Sequence, residues 1–225
     1  MRLIILLCLC LAACTNRPLT ETEAAFLATT HGGGLDTSSV RITKGNLVGQ
    51  VLHSRPARPQ IACRERIYPP EEPGTEIKGS VAGIALFDRL LVAKWLYREN
   101  FLTGYPETLP LPQAMFLAHE ATHIWQWQNR AQTGYAPWKA AAEHARYDDP
   151  YLFTTARQSF LDYPYEQQAS LVEEYVCCRA LDPSGARTER LRALLMPYFP
   201  DLATQSGARK IALPWRGVQV EGICS

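Results

Sequence analysis

The sequence predicts one α+β domain, in which two long helices pack together and a small β-sheet is built from the segments ahead of them. Three observations predict it. Apolar residues recur at spacings of three and four from Leu111 to Arg130 and again from Tyr165 to Leu181, which is the period of a helix face. Between residues 36 and 93 the apolar runs are short and broken by Gly and Pro, as strands and turns are. The 225 residues are 47% hydrophobic, with 23 Lys+Arg against 22 Asp+Glu. That is enough apolar chain for one core, and too apolar and too charge-balanced for disorder. A net charge of +1 gives no cationic surface of the kind nucleic acid requires, so no nucleic-acid partner is expected.

The chain opens with Arg2 and an apolar run from Leu3 to Ala13 that ends in small residues, the order of a secretory signal. The run is too short for a membrane span, which needs about 20 apolar residues. Leu11-Ala12-Ala13-Cys14 resembles the cleavage box of bacterial lipoproteins. That resemblance implies loss of the signal peptide (residues 1–13), lipid on Cys14, a tether over residues 14–19 and a folded domain over 20–225. Thr15 is not Asp, so likeness to Gram-negative lipoproteins favours the periplasmic side of the outer membrane, with the membrane as a partner through Cys14.

Beyond the signal and Cys14, four cysteines remain: Cys63, Cys177, Cys178 and Cys224. An even set in an oxidising compartment reads as two disulfides. A bond between adjacent Cys177 and Cys178 would strain the peptide, so one of them is expected to hold Cys63 and the other Cys224. No Cys-x-x-Cys pair is present, which argues against a Cys-based metal site.

Taken in order, Thr20-Glu21-Thr22-Glu23 fits a capping box and starts a helix that His31-Gly32-Gly33-Gly34 stops. Residues 36–42 and 46–52 are expected as short strands around a Lys44-Gly45-Asn46 turn. Residues 53–79, rich in Pro, Arg and Glu, are expected as a loop pinned by Cys63 that could cover a cleft. From Val81 to Ala93 a hairpin turning at Asp88-Arg89 competes with a helix from Ala85. Leu111 to Arg130 is the clearest helix, with Pro112 in its first turn. Residues 134–156 are mixed and aromatic. After the helix from Tyr165 to Leu181, another starts at Asp182-Pro183 and carries Leu191, Leu194 and Leu195. The tail from Lys210 is expected to be extended and held by Cys224.

The first long helix contains His119-Glu120-Ala121-Thr122-His123, a His-Glu-x-x-His motif. Positions i and i+4 lie one turn apart, so both imidazoles can face one ion. Glu120, beside the first ligand, can take a proton from a metal-activated water. Its neighbours are uncharged, as a buried metal helix requires. A catalytic zinc takes three protein ligands and leaves one position open. Glu166, at the start of the second long helix, is the best third ligand; Glu173 and Glu174 are rivals one or two turns on, and His144 is a weaker candidate. Tyr147, Tyr163, Tyr165 and His144 are candidates to stabilise an oxyanion, Trp125 and Trp127 read as core or pocket wall, and Arg41 faces either a buried carboxylate or solvent.

Three stretches carry a family resemblance. They are residues 26–42 with Gly34-Leu35-Asp36 and Val40-Arg41-Ile42, residues 116–128 with the motif running into Trp125-Gln126-Trp127-Gln128, and residues 165–175 with Tyr165-Glu166-Gln167-Gln168 and Glu173-Glu174-Tyr175. Together they resemble the zincin-like metallopeptidase domains described as Vgr-related or toxin-associated. The resemblance implies a zincin-like fold with Zn2+ as cofactor, His119, His123 and Glu166 as metal ligands, and Glu120 as base. The function expected is a zinc-dependent hydrolase that cleaves peptide bonds in a protein or peptide substrate at an envelope membrane. The lipoprotein signal, the Cys pairs and the Pro-rich insertion depart from the family pattern and put a link to a secretion apparatus in doubt. The alternative is a non-catalytic envelope lipoprotein whose zinc site is structural or vestigial and which serves as a binding or scaffold module. An amidase acting on cell-wall peptides is a third reading.

Overall fold

The computed structural model describes residues 16–45, 48–154 and 157–225. The signal peptide and Cys14 lie outside the described residues. The fold is α+β, as expected. Helix α1 (Glu21–His31) begins at the Thr20 capping box and ends at Gly32. Helices α3 (Leu111–Gln128) and α6 (Tyr165–Leu181) form the central pair. Both are buried on nearly every side; α3 is apolar or small around most of its circumference, whereas α6 also buries Glu166, Gln168, Glu174 and Arg179. Trp125 of α3 sits in the core against Phe160 and Phe199. Helix α7 (Ala186–Leu195) packs on α6 after a turn at Asp182–Gly185.

A four-stranded sheet covers the other side of α3, in the order β1-β2-β6-β5. Strands β1 (Asn16–Pro18) and β2 (Arg41–Gly45) run antiparallel, β2 and β6 (Arg89–Ala93) parallel, and β6 and β5 (Gly83–Leu86) antiparallel. The Val81–Ala93 stretch is therefore the hairpin and not the helix. It turns through Phe87 and Asp88, with Phe87 at φ 58°, the left-handed conformation that tight hairpin loops use. Strand β5 ends the sheet, so its outer edge has no strand partner among the described residues.

Several expectations are corrected. Residues 36–40 are not strand: the Asp36 carboxylate accepts from Ser38 N and Ser38 Oγ, a local turn that outcompetes extended pairing. The expected strand 46–52 is also absent; residues 46 and 47 lie outside the described set, and 48–50 form a turn with Gly49 at φ 90°. The 53–79 stretch is not all loop. Its ends pair as β3 (Leu52–Pro56) and β4 (Glu76–Ser80), and a single turn α2 (Cys63–Arg66) sits between them. After the single turn α4 (Arg130–Thr133), residues 134–156 hold helix α5 (Pro137–Arg146), which has Pro137 in its first turn and an Ala-rich run behind it. The tail is only partly extended: β8 (Lys210–Ala212) pairs in parallel with β7 (Thr108–Pro110).

Two disulfides close the molecule, Cys63–Cys177 and Cys178–Cys224. Each adjacent Cys of α6 takes a different partner, as expected. The first bond ties α2 to the central helix pair, and the second ties down the C-terminal tail.

Candidate metal centre

On α3, His119 and His123 lie one turn apart with ring centroids 5.2 Å apart. Helix α6 runs beside them and brings Glu166 to both. Glu166 Oε2 is 3.2 Å from His123 Nε2 and 3.4 Å from His119 Nε2. Donors at about 2.0–2.1 Å from a tetrahedral zinc stand about 3.3–3.4 Å apart, so these spacings suit one shared ion. Ligand atoms of His119, His123 and Glu166 all fall within 4.8 Å of one another, and all three residues are buried. Two imidazoles and a carboxylate are donors that a divalent ion such as zinc accepts.

The imidazoles are turned by their other nitrogens. His119 Nδ1 donates to Glu173 Oε2 at 3.2 Å, and His123 Nδ1 donates to Gln126 Oε1 at 2.9 Å. Carboxylate and amide oxygens only accept, so each Nδ1 carries a proton, and each Nε2 faces Glu166 either as an N–H donor or, with an ion between them, through its lone pair. Gln126 is fixed in turn by donating to Gln168 Oε1 and the Tyr165 carbonyl, at 2.9 and 3.2 Å. Glu173 thus touches His119 from behind. Glu174 is elsewhere: it accepts from the backbone of Cys63 and Arg64 and from Arg187, at 2.9, 3.1 and 2.6 Å.

Charge follows the same geometry. Burial opposes a proton on either imidazole, yet the carboxylates of Glu166 and Glu173 outweigh it. His119 is lifted to about 10, and His123 is raised above its usual value chiefly by Glu166. Burial also opposes ionisation of Glu166, but His123, His119 and His144 hold it well below the carboxylate range. Glu173 falls to about 2 because Arg64 and His119 outweigh its burial. This much negative charge around two imidazoles demands cations, and a divalent ion meets that demand as protons do.

Glu120 is only 6% exposed and takes no part in the hydrogen bonds that fix its neighbours. Burial raises its pKa, with the two histidines opposing. Strand β5 crosses directly above it at Gly83, where a Cβ would lie 2.6 Å from Glu120 Oε1 and 2.9 Å from Phe116 Cζ. A cleft of about 370 Å³ opens here, lined by His119, Glu120, Gly83, Trp95, Phe116 and Tyr151. His53, Tyr68 and Ser80 from the Pro-rich stretch form one wall of it.

Other expected residues scatter. His144 Nε2 lies 3.3 Å from Glu166 Oε1, the carboxylate oxygen turned away from the other two histidines. The Tyr163 hydroxyl accepts from Arg157 N at 3.0 Å, and Tyr165 Oη donates to the Thr133 carbonyl at 3.4 Å. Tyr147 lines a separate groove. Trp127 packs at a tilt against Phe87 outside the core, and Arg41 donates to the Ser38 and Val40 carbonyls. The sulfurs of Cys63, Cys178 and Cys224 also crowd within 4.8 Å, but each is already spent in a disulfide.

Three positions went unread in the sequence. Tyr151 lies against the rings of His119 and His144, with centroids 5.6 and 5.5 Å away. Tyr135 stacks on His123 at 6.0 Å. Glu143 of α5 accepts from the backbone of Tyr165 and Glu166, at 2.9 and 3.0 Å. It caps α6, whose own N-cap, Pro164, offers no side-chain acceptor. The Ala-rich helix carrying Glu143 was a usable signal; nothing local marks the two tyrosines.

No family model matches the chain, and no curated protein matches it. Among solved structures it is similar to the effector domain of Pseudomonas aeruginosa VgrG2b, with 18% identity, a TM-score of 0.50, and coverage of 81% of this chain and 83% of that one. At this identity the likeness concerns the fold, and it agrees at that level with the Vgr-related resemblance of the sequence.

Proposed function

We propose that the protein is a zinc-dependent hydrolase that cleaves peptide bonds, with the ion held by His119, His123 and Glu166. One observation carries this reading: two imidazole nitrogens and a carboxylate oxygen converge beside a buried Glu120 that has no hydrogen-bond partner among the described residues, in an open cleft. When bound, zinc supplies Lewis acidity, polarising a carbonyl and lowering the pKa of water to about 7. Glu120 accepts the proton of the attacking water and returns it to the leaving amine. Burial lifts its pKa toward the range where it can do both. The free edge of β5 offers backbone groups to an extended peptide lying along the cleft. Tyr151 lines the cleft and carries a hydroxyl donor for the developing negative charge. The VgrG2b effector domain supports the fold and assigns no target to this chain.

The test is zinc content together with hydrolysis of a quenched peptide library. The wild-type domain is expected to hold one zinc. Glu120→Gln should keep the zinc and lose turnover, and His119→Ala/His123→Ala should lose both. Turnover surviving in Glu120→Gln would remove Glu120 from its role. The non-catalytic reading is favoured by one contact, His144 beside Glu166, since a fourth protein donor would close the site. X-ray absorption showing three imidazoles and no water-derived oxygen would select it. We further propose lipid on Cys14, placing the site at the periplasmic face of a bacterial outer membrane; a Cys14→Ser variant should neither incorporate labelled fatty acid nor partition into membranes.

A further inference from the structure

Arg64 is almost fully buried, and its partners lead to the metal centre by two routes. Its Nη1 donates to Glu173 Oε2 at 3.0 Å, the same oxygen that accepts from His119 Nδ1 at 3.2 Å. Its Nη2 donates to the Tyr151 carbonyl at 3.1 Å, and the Tyr151 ring lies against His119. Its Nε is taken by Glu65 at 2.8 Å. The guanidinium therefore sets both groups that press on the first metal histidine.

Little regular structure holds Arg64 itself. It lies in α2, a single turn whose N-cap, Ala62, has no capping side chain, flanked by irregular Pro-rich chain. The turn is attached to α6 by the carboxylate of Glu174, which accepts from Cys63 N and Arg64 N, and by the Cys63–Cys177 bond. Cys177 is one helical turn beyond Glu173 on α6. The covalent link thus joins the residue beside Arg64 to the turn beside Glu173.

We propose that Arg64 is a positioning residue for His119 and that the Cys63–Cys177 disulfide holds it there, so that zinc affinity depends on oxidation. The inference rests on the metal centre proposed above. Reduction by a dithiol breaks the one S–S bond, delivers two electrons and two protons to give two thiols, and leaves the dithiol as its own disulfide. The turn then keeps only its hydrogen bonds, Arg64 gains freedom, and Glu173 is no longer fixed behind His119. In a reducing compartment the site holds zinc weakly; in an oxidising one it holds zinc tightly.

Because dithiols bind zinc themselves, the test uses variants of the full domain, titrated with zinc against a chromophoric chelator. Arg64→Ala and Cys63→Ser/Cys177→Ser are each expected to weaken zinc binding by about 10–100-fold, the range for losing a partner behind a metal ligand. Arg64→Lys should recover part of that loss. Adding Arg64→Ala to the Cys pair variant should weaken binding no further, because both changes break one path. The control, Cys178→Ser/Cys224→Ser, should leave affinity within about threefold of wild type. Equal affinity in Arg64→Ala and wild type overturns the proposal, as does an equal loss from either Cys pair. If the Cys63/Cys177 variant does not fold by circular dichroism, the Ala and Lys variants at Arg64, with both disulfides intact, still decide the positioning role. No zinc in the oxidised wild type would sink the metal centre and this inference with it; zinc held equally by all variants would sink this inference alone.

Discussion

His31 and His119 are both deeply buried imidazoles, and their surroundings push them in opposite directions. His119 faces two carboxylates. His31 faces the hydroxyls of Thr30 and Thr122, at 2.8 and 3.0 Å, with the Arg179 charge nearby. Burial, with help from Arg179, lowers His31 to about 3. The folded protein therefore keeps His31 neutral where the unfolded chain protonates it. This contribution to stability is complete above about 6.5 and is lost as the pH falls from there toward about 3. At pH 4.5 the loss is about 2–3 kcal/mol. Urea unfolding at pH 7 and pH 4.5 should show this extra loss in wild type and not in His31→Gln; identical slopes would disprove it. At this scale the sequence was legible where one helix suffices. His119, Glu120 and His123 are placed by i, i+4 spacing alone, and Glu166 by the start of the next helix. Glu173, a rival ligand by spacing along the helix, meets the Nδ1 of His119, which spacing alone does not show. Tyr135 and Tyr151 meet the histidines across elements, with no local pattern to show it.

Among elements, β5 and α3 meet most closely at the chemistry. Their contact at Gly83 leaves no room for a side chain over Glu120. Gly83→Ala is expected to push the strand away from α3, cut peptide hydrolysis by at least about tenfold, and leave zinc content unchanged. Steady-state kinetics beside metal analysis would check it; unchanged kcat/KM would mean that the strand does not serve the cleft. The element errors of the sequence reading share one cause. Asp36 makes a turn through its own side chain, and β3 and β4 pair across a long Pro-rich insert, so neither outcome follows from apolar period. The long helices were readable because they are buried on most sides, and the β5–β6 hairpin was one of two readings that only tertiary pairing separates.

For the whole molecule, stability is shared between core and disulfides, and an ion at the proposed centre would add to it. The two disulfides span sequence separations of 114 and 46 residues. In the chain-entropy account such loops are worth about 5 and about 4 kcal/mol respectively. Zinc held at the proposed centre would add by mass action, about 4 kcal/mol when free zinc is a thousandfold above its Kd. A chelator should therefore lower Tm in wild type by several degrees and leave the Tm of His119→Ala/His123→Ala unmoved. Equal shifts in both would place the stabilising ion somewhere else.

The first described strand also limits where this domain can go. Arg17 grips the fully buried Glu23 through two hydrogen bonds of 2.7 and 2.8 Å, and that carboxylate also accepts from the backbone of Thr20 and Phe101. Chain that was expected to be slack is stitched into the sheet from Asn16 onward. Two residues of backbone span at most about 7 Å. A lipid on Cys14 would therefore hold the body on a very short leash, flush with the bilayer and with little freedom to swivel. Its prey would be molecules that drift past at the surface, and a partner standing well out in the periplasm would be beyond its reach.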